Sequence, residues 1–135
     1  MSTQNSTTFT PFLMFTGKAE EAMDFYVSLF PTAKVDNVSL YGHGEPGAEG
    51  SVKVATFSLN GQKVMCSDSP VEHDFTFTPS ISLFVSCTTD EELDRYVEPL
   101  SKDGKVLMPP DNYGFSTKFA WLEDRFGVSW QLNLP

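Results

Sequence analysis

Few side chains in this sequence are equipped for chemistry, and they are thinly spread. Each of the two histidines has carboxylates nearby: Glu45 and Glu49 follow His43, and Glu72 and Asp74 flank His73. An imidazole beside carboxylates is the raw material of a divalent-metal site, and equally of an acid/base pair in which the carboxylate orients the ring. Metal ligands must converge on one point, however, and the Gly-rich run Gly42–Gly50 that carries His43 does not preorganise a coordination sphere. His73 stands alone between two regular segments, where a histidine is more often an ordinary loop residue. For both clusters the plainer reading is a solvated acidic loop, in keeping with the formal charge of −9. Cys66 and Cys87 have no framework spacing and no adjacent histidine or helix start to generate a thiolate, so both are expected to be buried free thiols of a cytoplasmic protein.

The elements that must position these residues repeat. Phe12–Phe15 is a short apolar run. After it, Ala19, Ala22, Met23, Tyr26, Leu29 and Phe30 fall on one face at helical spacing, and Pro31 stops the helix. A strand at Lys34–Leu40, the Gly-rich loop, and strands at Val52–Leu59 and Gln62–Cys66 follow, the last two joined by the hairpin signal Asn60-Gly61. The second half opens with a strand at Ile81–Val85. Next comes Thr88-Thr89-Asp90-Glu91-Glu92, where either Thr has a Glu three positions on, as a capping box requires. The helix behind it presents Leu93, Tyr96, Val97 and Leu100, with Pro99 either ending it early or bending its last turn. Strands at Lys105–Met108, Phe119–Leu122 and Val128–Leu134 complete the order. Both halves therefore read βαβββ. Asp24-Phe-Tyr26-Val27 matches Asp94-Arg-Tyr96-Val97, Lys34-Val35 matches Lys105-Val106, and Ser51–Ala55 matches Ser116–Ala120, all at offsets of about 65 to 71 residues. The expected class is α+β: a lead-in at 1–8, then a single domain over 9–135 with modules at about 9–69 and 78–135.

Strand alternation assigns faces. Ile81, Leu83, Val85 and Cys87 share one side, and Ser80, Ser82, Phe84 and Ser86 the other. Trp130, Leu132 and Leu134 likewise oppose Ser129, Gln131 and Asn133. The apolar sides must cover the helices. The polar sides either meet solvent or, if the sheet curls, line a half-polar pocket for a small molecule. Tyr113 and Phe115 lie on the loop before the seventh strand and have two readings, a flap over such a pocket or a hydrophobic plug. Trp121 sits on a strand whose parity the sequence does not fix, and so is a candidate stacking surface.

Pro11-Phe-Leu-Met-Phe15, Ala19–Pro31, Gly50-Ser-Val with Asn60-Gly-Gln62, Phe77-Thr78 and Trp121–Gln131 together resemble the PhnB-like branch of the vicinal-oxygen-chelate (glyoxalase/bleomycin-resistance/dioxygenase) superfamily. The resemblance spans roughly Thr10 to Leu134. It implies two βαβββ modules forming a cup-shaped mixed sheet, commonly completed in a homodimer, with a divalent metal in the cup of the members whose chemistry is known. The positions it implies for metal ligands fall near Pro11, Met65, Ser80 and Gln131, and only Gln131 has a plausible donor among them. The expectation is therefore no metal and no cofactor, with a small organic ligand held by Phe15, Ser82, Phe84, Tyr113, Trp121 and Gln131. The alternative is a metal-dependent lyase, isomerase or dioxygenase using the loop histidines, and a third reading is a structural protein with a filled cup. Methyl transfer, which the branch's inherited label names, finds no strand, Gly-rich loop and helix start to take a nucleotide-type cofactor. Acidic charge leaves no basic footprint for nucleic acid or anionic lipid, and no apolar run approaches the roughly 18 residues of a spanning helix. Neither nucleic acid nor membrane is expected as a partner.

Overall fold

The computed structural model describes residues 6–135, in which the chain is α+β and divides into two compact units, one ending at Glu72 and the other beginning at His73. Of the lead-in expected at 1–8, the first five positions lie outside the described residues, and Ser6–Thr8 carry no regular structure. The first unit runs β1 (Phe12–Phe15), α1 (Ala19–Leu29), β2 (Lys34–Leu40), β3 (Val52–Leu59) and β4 (Gln62–Asp68). The second runs β5 (Leu83–Ser86), α2 (Asp90–Ser101), β6 (Lys105–Asp111), β7 (Lys118–Glu123) and β8 (Ser129–Leu134). The repeat is thus real at the level of elements. Strand order is β1-β4-β3-β2 in one sheet and β5-β8-β7-β6 in the other, with β1–β4 and β5–β8 parallel and the remaining pairs antiparallel. Each module thereby completes its own four-stranded mixed sheet.

Each helix covers its own sheet. Ala19, Ala22, Met23 and Tyr26 of α1 are buried with Ala55, Phe57, Val64 and Cys66, and the Tyr26 and Phe57 rings stack 6.3 Å apart. In the second unit Leu93, Tyr96, Val97 and Leu100 are buried with Ala120, Leu122, Trp130 and Leu132. Among the described residues no helix is long and apolar enough to cross a membrane.

The two helices start differently. Thr89 caps α2, its Oγ1 accepting from the Glu92 N–H at 3.1 Å while Glu92 Oε1 accepts from the Thr88 N–H at 2.7 Å. Thr89 is thus the cap of the two threonines, and the Glu92 carboxylate reaches one residue beyond it, to Thr88, where a strict capping box would return to the cap itself. At α1 the cap position holds Lys18, which offers no side-chain acceptor. Instead Asp68, at the end of β4, accepts from the N–H groups of Gly17 (2.7 Å) and Ala19 (3.0 Å) through Oδ1, and from Val52 (3.0 Å) through Oδ2. One buried carboxylate therefore ties a helix start, the β1–α1 turn and the beginning of β3 together.

Several boundaries moved. β5 begins at Leu83, and Ile81 lies in the preceding turn, 75% exposed, with its N–H directed to Thr78 O. Strand β6 continues through Pro109-Pro110, tolerated because it is an edge strand whose pairing with β7 shifts register twice. Helix α2 passes over Pro99 to Ser101, so the ring is carried in the last turn, where few residues follow it. The β3–β4 hairpin turns on Asn60 (φ 49°) and Gly61 (φ 92°), the left-handed pair that Asn-Gly supplies most readily.

Candidate functional site

The centre of the second sheet, on the side away from α2, holds a connected polar cluster. Cross-strand pairing sets Gln131 between Phe84 and Trp121, and the next row sets Asn133 between Ser86 and Phe119. The Gln131 side chain donates from Nε2 to Ser82 Oγ at 3.3 Å, and Ser82 Oγ shares a 2.6 Å hydrogen bond with Ser129 Oγ. Trp121 Nε1 donates to the same Ser129 oxygen at 2.9 Å. Ring and amide are thus both oriented through two serine hydroxyls, while the Phe84 ring beside them is 58% exposed. The parity of Trp121, open in the sequence, is settled: it lies on the polar face. The other tryptophan, Trp130, is buried on the helix side and donates to Asp124 Oδ2 at 3.0 Å.

Tyr113 and Phe115 border this face. The Phe115 ring meets Phe119 edge-on at 5.0 Å and Tyr113 meets it edge-on at 6.3 Å, which leaves Phe119 6% exposed. The loop is held by its own hydrogen bonds, from Gly114 N–H to Asn112 Oδ1 (2.8 Å) and from Tyr113 Oη to Pro109 O (2.5 Å). These rings form a fixed aromatic wall at one end of the face.

Phe15 does not join this arrangement. It shares its parity with Leu13, pairs across to Asp68 and is 5% exposed, so it belongs to the helix-packed layer of the first unit. Ser129 and Asn133, by contrast, share the polar face with Gln131 by alternation, and that alternation was the signal for including them. Ser129 is only 2% exposed because both of its neighbours in the cluster bond to it.

The positions assigned to metal ligands by resemblance carry Pro11, with no side-chain donor, the Met65 thioether, the Ser80 hydroxyl and the Gln131 amide. No member of that set is an imidazole or carboxylate, so the set does not fit a divalent cation that needs several such ligands. The loop clusters are engaged otherwise. Glu45 accepts from Gly42 N–H at 2.7 Å and pairs with Lys53 at 2.5 Å, while the His73 ring stacks on Phe75 at 4.7 Å. Among the described residues no three His, Cys, Asp or Glu side chains are grouped where they could hold a metal ion. The Gly42–Gly50 loop is more ordered than its composition suggests. Tyr41 exchanges backbone hydrogen bonds with Gly50 and Ser51, and its ring lies so close to Gly47 that a Cβ there would sit 2.3 Å from it. In the first unit, a depression of about 490 Å³ lies beside Thr8, Phe9, Thr10, Pro11 and Gln62, none of them titratable.

Residues 7–133 match the family model described as 3-demethylubiquinone-9 3-methyltransferase. Among solved structures, the chain is similar to a PhnB protein of Bacillus cereus carrying the same description, at 55% identity and TM-score 0.93, over 96% of this chain and 100% of that one. It is also similar to protein PA1353 of Pseudomonas aeruginosa, at 26% identity and TM-score 0.83, over 96% and 98%. The fosfomycin resistance protein FosX of Listeria monocytogenes, solved with Mn(II) and 1S,2S-dihydroxypropylphosphonic acid, matches over 96% and 93% with TM-score 0.66. At 14% identity that likeness shows the fold alone. No curated protein matches.

Proposed function

Because the chain belongs to the family described as 3-demethylubiquinone-9 3-methyltransferases, the PhnB-like branch of the vicinal-oxygen-chelate superfamily, we propose that it binds a small organic molecule on the polar face of its second sheet, without a resident metal. The observation that carries this reading is the Trp121–Ser129–Ser82–Gln131 network. A merely solvated sheet face has no need to orient an indole and an amide through two hydroxyls, one of them buried. Preorganised polar groups beside exposed aromatic surface are what a small-molecule site requires. The unsuitable donor set at Pro11, Met65, Ser80 and Gln131 supports the metal-free part.

Amide and indole chemical shifts of the labelled protein, recorded against a fragment library, test the reading. Compounds that bind should move Phe84, Trp121 and Gln131 together. Gln131→Leu should then weaken the best binder about ten-fold, or roughly 1.4 kcal/mol, with little change in melting temperature. A library that moves none of these signals at millimolar concentration would overturn the proposal, and stoichiometric divalent metal in protein purified without added metal would overturn its metal-free part. The same reading takes two copies as the working unit. Sedimentation equilibrium should give about twice the 15.0 kDa chain mass, and a single-chain mass at micromolar concentration would refute it.

A further inference from the structure

The hydrogen-bond network on the second sheet is asymmetric in what it leaves over. Gln131 directs its Nε2 to Ser82 Oγ at 3.3 Å, which turns Oε1 away from the serine pair. Two residues along the same strand and on the same face, Asn133 holds an Oδ1 that is buried without a hydrogen-bond partner; the only other such atom among the described residues is Ser116 Oγ. A buried carbonyl oxygen with no donor is costly, and native structures seldom keep one without a use. By strand rise the two residues lie roughly 7 Å apart. The ladder adds no cation to the middle of this face. It places Glu123 beside Ser129 and Asp111 beside Phe119, with Lys105 at the edge opposite Glu123, while Lys118 points to the helix side and pairs with Asp90 and Asp94. Phe84 and Trp121 flank the first amide, and Phe119 with its covering rings flanks the second.

We infer that this face selects for hydrogen-bond donors: its ligand is an aromatic molecule bearing two O–H or N–H groups and no anionic group, received by Gln131 Oε1 and Asn133 Oδ1. The inference rests on the proposed binding site and gives it a substrate class. It also sets the face apart from one that would hold a phosphonate, since a phosphonate brings acceptors and negative charge to a surface that already offers both.

The test uses four probes on the full chain, followed by chemical-shift titration: resorcinol, its dimethyl ether, benzoate and phenylphosphonate. Resorcinol should move the side-chain amides of Gln131 and Asn133, and methylating both hydroxyls should weaken binding at least about ten-fold. The two anions should bind more weakly than resorcinol. Gln131→Met and Asn133→Leu should narrow the gap between resorcinol and its ether, and the ether series on the unmodified protein decides the matter even if a variant folds poorly. If the ether or phenylphosphonate binds the same face as tightly as resorcinol, donor selection is wrong while the binding site stands. If no probe moves Phe84, Trp121, Gln131 or Asn133, donor selection falls together with the site on which it rests.

Discussion

The sulfurs of Cys66 and Cys87 sit on the helix sides of the two sheets, where a thiolate would lose most of its hydration. Burial, reinforced by the Asp68 charge, pushes the Cys66 thiol up to about 12. Burial and Glu92 push Cys87 up to about 11, partly offset by a backbone hydrogen bond from Asn133 and by Arg95. Both groups hold their protons more tightly folded than unfolded. Their contribution to stability is therefore fully present below the ordinary thiol value of 9.0 and is lost as pH climbs towards 11 for Cys87 and 12 for Cys66. At pH 8 the native thiolate fraction is about one in a thousand for Cys87 and one in ten thousand for Cys66. A disulfide reagent should thus label the native protein at least about a hundred-fold more slowly than the urea-unfolded chain; equal rates would show that one sulfur is accessible. Strand parity alone placed both cysteines correctly. It also set Ser129 on the polar face, but not its part in the network, because nothing in a serine's identity says that an indole and a second hydroxyl will converge on it.

At the scale of elements, the capping box of α2 was legible because its partners are three or four residues apart, whereas the cap of α1 was not, because its acceptor arrives from β4. The one local hint was negative: Lys18 is a poor cap, so the helix start had to be satisfied from elsewhere. Thr89→Ala should cost about 1 kcal/mol in urea unfolding, the usual loss for one cap. Asp68→Ala removes three charge-assisted bonds at once, two of them from buried N–H groups, and should cost about 3 kcal/mol or more. Comparable losses in the two variants would mean that water replaces Asp68. Pro99 and the Pro109-Pro110 pair both pointed to an earlier end than the element has, since α2 runs on to Ser101 and β6 to Asp111.

Across the whole molecule, the repeat was the most legible feature, since hydrophobic periodicity and recurring spacings survive even where identities diverge. It also locates where the copies parted. Met65 and Gln131 occupy matching places, each opposite a phenylalanine on the parallel neighbour strand, Phe12 and Phe84. Around Met65 the corresponding face carries Thr56, while around Gln131 it carries Trp121 and the serine pair. The first copy has a thioether and a threonine where the second has an amide and an indole, so the two share the fold but not the chemistry of this face.

The Asp68 tie has a consequence in time as well as in energy. The bonds that start α2 close loops of a few residues and can form as soon as that turn is sampled. Those that cap α1 join positions 49 and 51 residues apart, so the first helix has no side-chain cap until the fourth strand is in place. The two halves of a duplicated chain, nearly identical in outline, are thereby set to assemble in different orders. The second can nucleate from its helix outward, and the first must close its sheet before its helix is anchored.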